Sequence, residues 1–146
     1  MVLYMKEIKS SPSVYWLQYH VVLVCKYRRR VLNPGVCNYL RRIFPKLLKQ
    51  IPGVTIESIG FDRDYLHMLM IIPPKYAIAE VVGKLKSQSA SQLRETFPWL
   101  DKVYWKENLV WSPGYFVSSV GIDELIIKNY VEKQGQEDSG QLQLEL

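Results

Sequence analysis

The stretch from Gly60 to Pro74, GFDRDYLHMLMIIPP, constrains the fold more than any other part of the chain. It opens polar, turns strongly apolar and stops at a double proline. The run Leu66 to Ile72 is short and nearly all hydrophobic, and the prolines after it cannot donate to a ladder. A central strand covered on both faces reads this way. Period two puts Tyr65, His67, Leu69 and Ile71 on one face and Leu66, Met68, Met70 and Ile72 on the other. One face therefore carries a phenol and an imidazole, with hydrocarbon behind them. The plain reading of His67 is a satisfied core histidine, and this stretch alone favours it.

With 146 residues, 48% of them apolar, the chain suits one domain with a substantial core. No apolar run is long enough to span a bilayer, and the mixed N-terminus lacks the apolar segment of a signal peptide. Cys25 and Cys37 stand apart without metal spacing and read as reduced structural thiols of a cytoplasmic protein. Two scattered cysteines and two scattered histidines, His20 and His67, offer no structural zinc site. Net charge is +5, and residues 135 to 146 carry only acidic groups, so the body before them is more basic still. A basic body suits a polyanionic partner, most simply nucleic acid. A merely soluble basic protein has the same composition.

Taken in order, Val14 to Cys25 is rich in β-branched and aromatic residues and is predicted to be a strand. His20 lies within it and reads as a core or sheet-face residue, with no partner nearby in sequence. Lys26-Tyr27-Arg28-Arg29-Arg30 joins four cations to an aromatic ring. That tract suits a phosphate clamp with a stacking surface, or equally a solvated turn. Asn33 and Pro34 open a helix to Gln50, and Arg41, Arg42, Lys46 and Lys49 fall off its apolar stripe. Val54 to Ile59 alternates as a strand and forms a hairpin with the next, with Asp62, Arg63 and Asp64 at the tip.

A second helix, about Ala77 to Phe97, pairs an apolar stripe with a polar, basic face of Lys84, Lys86, Ser87, Gln88, Ser89 and Ser91. Lys102 to Trp105 and Leu109 to Trp111 read as strand-like, Tyr115 to Val120 as the last strand, ending at Gly121. The final helix, about Ile122 to Gln134, is expected to stop at Gly135. Ile126, Tyr130 and Gln134 are spaced four apart and share a face. An ordinary half-buried tyrosine would look the same. The first six elements match an α+β, ferredoxin-like βαββαβ antiparallel sheet with both helices on one face, plus an extra strand and a C-terminal helix. The other sheet face is left free for a ligand or partner.

Five ordered blocks carry a resemblance: YHVVLVCKYRRRVL (19–32), GFDRDYLHMLMIIPP (60–74), LKSQSASQL (85–93), WSPGYFVSSVG (111–121) and YVEKQ (130–134). Together they resemble the small single-tyrosine transposases of the IS-two-hundred/six-oh-five type, in the HUH (His-hydrophobic-His) nuclease superfamily. The resemblance covers nearly the whole chain up to Gly135. It implies one catalytic domain over 1–134, and 135–146, polar and glutamine-rich with acidic groups, reads by composition as a disordered tail. The resemblance implies Tyr130 as the nucleophile that forms a covalent 5′-phosphotyrosine. It also implies His67 and Gln134 as ligands of Mg²⁺ or Mn²⁺.

The family's first histidine falls where this chain has Tyr65. A phenol with an ordinary pKa of about 10 is a poor ligand for a hard ion. Asp62, and less so Asp64, are the oxygen donors expected to compensate. The family further implies a homodimer acting on single-stranded DNA with hairpins at element ends, in the cytoplasm and at the nucleoid. Lys26, Tyr27, Arg28, Arg29, Arg30, Lys84, Lys86 and Ser87 are the expected DNA contacts. The expectation is therefore a metal-dependent transposase that cleaves and rejoins single strands. The alternative is a weakened relative that binds hairpin DNA without cutting, and the fold alone would also suit an RNA- or ligand-binding module.

Overall fold

The computed structural model describes residues 9–10, 13–14, 17–105, 107, 109–119 and 123–140. Strands β1 (Lys9–Ser10) and β2 (Ser13–Val14) pair with each other apart from the main sheet. The main sheet has four antiparallel strands in the order β4-β5-β3-β6. These are β3 (Gln18–Val24), β4 (Thr55–Phe61), β5 (Tyr65–Ile71) and β6 (Phe116–Ser118). Helix α1 (Pro34–Leu48) connects β3 to β4. Helices α2 (Ile78–Thr96) and α3 (Leu100–Tyr104) lie between β5 and β6, and α4 (Glu124–Ser139) follows. The succession β3-α1-β4-β5-α2-β6 is the ferredoxin-like core.

The two faces of β5 separate as period two requires. Leu66, Met68, Met70 and Ile72 are almost wholly buried with Val21 and Leu23 of the neighbouring strand β3 and Cys25 just after it. Helix α1 covers them with Val36, Leu40 and Phe44, and α2 with Val81, Val82, Leu85 and Leu93. Asn33 caps α1 by accepting the Val36 N–H at 3.0 Å, with Pro34 at the first helical position. Such a cap contributes about 1 kcal/mol.

Several expectations fail here. The segment 102–105 is not a strand: Lys102 to Tyr104 are helical within α3, so the fourth sheet strand is Phe116–Ser118. Trp111 makes only an isolated bridge to Cys25. Ser89 leaves the polar face of α2 and is fully buried, accepting the indole N–H of Trp111 at 2.9 Å.

Nor is the second sheet face left wholly free. Ile127 and Val131 of α4 pack on Val22 and Val24, with Tyr65, Phe116 and Tyr130 around them. Gly135 does not end α4. The helix runs on to Ser139, where Gly140 adopts φ 80°. The glycine serves another purpose, because a Cβ at position 135 would lie 2.8 Å from Arg28 Cγ. Positions expected for Tyr15 and Trp16, the strand end at Val120 and Gly121, the helix start at Ile122 and the tail 141–146 lie outside the described residues.

The two faces of β5 differ in what truncation costs. Met68→Ala should destabilise the fold by about 2–5 kcal/mol. Leu69→Ala, on the partly open face, should cost well under half as much. Urea unfolding of both variants measures this, and equal losses would contradict the face assignment.

Candidate active site

Helix α4 presents a line of side chains four residues apart. The Tyr130 hydroxyl donates to Gln134 Oε1 at 3.4 Å, and Gln134 Nε2 donates to Asp138 Oδ1 at 3.3 Å. Gln134 is buried, and its amide is thereby oriented with the carbonyl toward the phenol. Tyr130 also leans on Phe116, ring centroids 5.5 Å apart. Burial first, then the charges of Glu137 and Asp138, push its pKa up to about 12.

Asp138 is the anchor of this line. Its side chain is only 2% exposed. The Lys26 ammonium lies 3.4 Å away, the Tyr27 N–H donates at 2.9 Å, and the Ser112 hydroxyl donates as well. Charge-assisted bonds of this kind offset the cost of burying a carboxylate. They also hold a strained turn, since Tyr27 and Arg28 have φ 58° and 52°. Left-handed backbone at non-glycine residues costs about 1–3 kcal/mol each and persists only where the surroundings enforce it.

His67 sits on the α4 side of β5, half-buried. Its partner is His20 of β3, Nδ1 to Nε2 at 3.3 Å. The ring planes are 9° apart with centroids at 5.5 Å, so the imidazoles meet edge to edge. One of the facing nitrogens must carry the proton. The bond occupies His67 Nε2. Burial first, then His20, lowers the His67 pKa.

Tyr65, at the position where the family resemblance expects a histidine, is held neutral. Burial raises its pKa, followed by the charges of Asp62, Glu124 and Asp64 and a hydrogen bond to Asp62. Asp62 also accepts the Arg63 N–H at 2.8 Å. Asp64 is buried and taken by Arg28, whose Nε donates to it at 3.0 Å across the gap that Gly135 leaves.

The structure divides the expected DNA contacts. Lys26 and Arg28 are committed to Asp138 and Asp64, while the guanidinium of Arg29 stands 5.9 Å from the Tyr27 ring. Lys86 donates to the carbonyls of Ser112 and Gly114, at 2.7 and 2.5 Å, and burial lowers its pKa against the opposing pull of Asp138. Ser87 bonds back to the Lys84 carbonyl at 3.3 Å. Lys84 and Arg30 are exposed.

Tyr130 and Gln134 are therefore brought together, and His67 is brought to His20. No hydrogen bond joins the two pairs among the described residues. There, no three His, Cys, Asp or Glu side chains are grouped to hold a metal ion. An imidazole nitrogen and an amide oxygen nonetheless suit Mg²⁺ or Mn²⁺, which take few protein donors where phosphate oxygens and water supply the rest. Sequence reasoning missed His20 and Asp138. His20 shares the period-two face of Val22 and Val24, but its pairing with His67 requires the strand register. Asp138 extends the four-residue spacing of Tyr130 and Gln134 by one turn, a signal hidden by the expected stop at Gly135.

Two outcomes follow from this geometry. Asp138→Ala should lower stability by about 1–3 kcal/mol and speed amide hydrogen exchange in α4; unchanged exchange there would remove Asp138 as the anchor. His67 should make the fold less stable in mild acid. Its folded-state pKa lies below the ordinary value of about 6.5, so the unfolded chain protonates first and stability falls as pH drops through that range. Urea unfolding at about pH 7.5 and about pH 5.5 should show a smaller loss for His67→Phe than for the wild type.

Known proteins resemble this chain in sequence and in fold. The family described as "Transposase IS200 like" matches residues 13–134. The transposase for insertion sequence element IS200 of Salmonella typhimurium is 33% identical over 135 residues, spanning 92% of this chain and 88% of that protein. The ISDra2 transposase TnpA of Deinococcus radiodurans is 32% identical over 127 residues, 86% of this chain and 89% of that one. A crystal structure of a putative transposase from Deinococcus radiodurans superposes with a TM-score of 0.75 at 31% identity, covering 86% of this chain and 96% of that chain. A REP-associated tyrosine transposase bound to a REP hairpin shares the fold at 14% identity, with a TM-score of 0.51 over 85% of this chain and 69% of that one. On the extent of these matches, the chain belongs to the IS200-like transposase family.

Proposed function

We propose that this transposase cleaves and rejoins single-stranded DNA at insertion-sequence ends, with Tyr130 as the nucleophile. One observation carries the reading. Tyr130 and Gln134 form a hydrogen-bonded pair at 3.4 Å on a helix laid over the sheet face that bears His67.

The Tyr130 oxygen attacks a DNA phosphorus. An O–P bond forms as the bond to the 3′ oxygen of the preceding nucleotide breaks. The strand's 5′ phosphate is then joined to Tyr130, and a free 3′-hydroxyl leaves. Bond energy is retained, so attack by a 3′-hydroxyl rejoins strands without ATP. With a pKa near 12, the phenol is neutral at physiological pH and must lose its proton as the new bond forms. Gln134 Oε1 accepts that O–H in the resting state and sets its direction. His20 fixes the ring of His67. Bound at His67 and Gln134, a divalent Mg²⁺ or Mn²⁺ ion would polarise the scissile phosphate and stabilise the leaving oxygen.

The family resemblance implies a homodimer, and the reading includes one. The histidine strand of one copy would then work with the tyrosine helix of the other. Hairpins at the element ends are the expected recognition feature, as the hairpin-bound relative of the same fold suggests by analogy. A second reading is favoured by Tyr65 alone: a relative that binds such ends but no longer cuts, its phenol neutral and bonded to Asp62.

A covalent protein–DNA adduct on a denaturing gel separates the two. With hairpin-bearing single strands and Mn²⁺, the wild type should form an adduct that Tyr130→Phe and chelation both abolish. Binding without an adduct, on a verified end sequence, would favour the second reading. Asp62→Ala should weaken Mn²⁺ affinity if that carboxylate compensates for Tyr65; unchanged affinity and cleavage would exclude it.

A further inference from the structure

The tract that follows β3 faces two ways. Asp138 of α4 engages Lys26 and the Tyr27 N–H, and Asp64 of the β4–β5 hairpin engages Arg28. Arg29 lies toward α3, and Arg30 stands between that side and the pocket of Asp62, Asp64 and Tyr65. Both arginines line an open cleft of about 490 Å³ with Trp99, Lys102 and Trp105. Its volume falls within the ordinary range for ligand sites, and no carboxylate is among its lining residues.

Trp105 is 79% exposed, the most exposed large apolar side chain described, and Trp99 is 37% exposed. Both indoles line the same cleft, and exposed apolar groups rimmed by polar ones mark interaction sites. The backbone beneath Trp105 is braced rather than loose. Trp105 has φ 52° with ψ −131°, a positive-φ conformation that a bulky residue adopts only when its surroundings enforce it. Arg94 supplies that support by donating to the carbonyls of Leu100, Trp105 and Leu109, at 3.3, 3.4 and 3.3 Å. The same guanidinium neutralises Asp101 at 2.8 Å, which takes the nearest acid of α3 out of play. Tyr104 is buried and donates its hydroxyl to the Lys26 carbonyl at 3.2 Å. The indole and the arginines are thus tied into one frame.

We propose that this cleft binds an unpaired nucleotide of single-stranded DNA, whose base stacks on Trp105 while its phosphates meet Arg29, Arg30 and Lys102. The proposal rests on the single-stranded substrate of the reading above and adds a contact remote from Tyr130. Aromatic faces interleaved with cations are what a strand with exposed bases requires, and every base offers a π-face to an indole. An acidic peptide would use the cations but leave the exposed indoles without a partner. A blunt duplex would leave them unused too, since its bases are already stacked.

The test is fluorescence anisotropy of a labelled, unstructured oligothymidylate with the full chain, beside a fully paired duplex of equal length. Trp105→Ala should weaken oligothymidylate binding about ten-fold, the size of one lost base stack, with duplex binding unchanged. Trp105→Phe, which keeps a ring, should retain most of the affinity. Arg30→Ala should reduce the salt slope of binding by about one unit. Wild-type affinity in Trp105→Ala would overturn the cleft as a base-stacking site, as would equal weakening on duplex. If the wild type fails to bind oligothymidylate yet still forms the Tyr130 adduct on hairpin ends, this site falls and the cleavage reading stands. If neither binding nor adduct is found, both fall.

Discussion

Much of the site's order depends on the buried carboxylate of Asp138. A charge there is tolerable only with donors around it, and four groups from three parts of the chain supply them: Lys26 and Tyr27, Ser112, and Gln134. One contact sets Gln134's amide, and through it the hydrogen bond of Tyr130. Another holds the left-handed turn after β3, while a third ties down the loop before β6. The apolar contact of α4 with the sheet is small, Ile127 and Val131 on Val22 and Val24. Non-directional packing of that extent leaves the helix free to slide or rotate, and the directional bonds of Asp138 remove the freedom.

The two sheet faces divide the labour. One is sealed by α1 and α2 and supplies the stability that makes strained features affordable. The other carries Tyr65, His67 and His20 with α4 across it. The imidazole pair spans two adjacent strands, where cross-strand neighbours approach closely enough to bond. In this chain His67 thus has its imidazole partner across the ladder, at His20, while the residue two before it along the strand is Tyr65. The arginine at position 28 reaches Asp64 only because position 135 has no side chain. A residue read as a helix stop is thereby a clearance, which also keeps Asp64 neutralised beside the site.

What was legible in the chain was whatever a short window contains. The hydrophobic run ending at Pro73 and Pro74 set β5 and sorted its faces. Asn33 before Pro34 set the start of α1, and the four-residue interval placed Tyr130 beside Gln134. Where local patterns compete, the reading failed. Lys102 to Trp105 alternates like a strand, but after Phe97-Pro98-Trp99 the chain turns at once into a helix that buries Leu100 and Tyr104. Lys86 looked like a free cation because nothing nearby in sequence marks the carbonyls of Ser112 and Gly114 as its acceptors.

The sequence by itself determined most of the elements and their apolar faces, the spacing of Tyr130 and Gln134, and the basic character of the tract after β3. Periodicity and capping act over a few residues, so they are written locally. Only the tertiary structure decided that His20 meets His67, that Asp138 is buried under Lys26 and Tyr27, and that Trp105 stands in water beside Arg29 and Arg30. Each of those relations joins residues far apart in the chain. Strand register, helix docking and the cost of burying charge decide them, and those are settled by the whole fold.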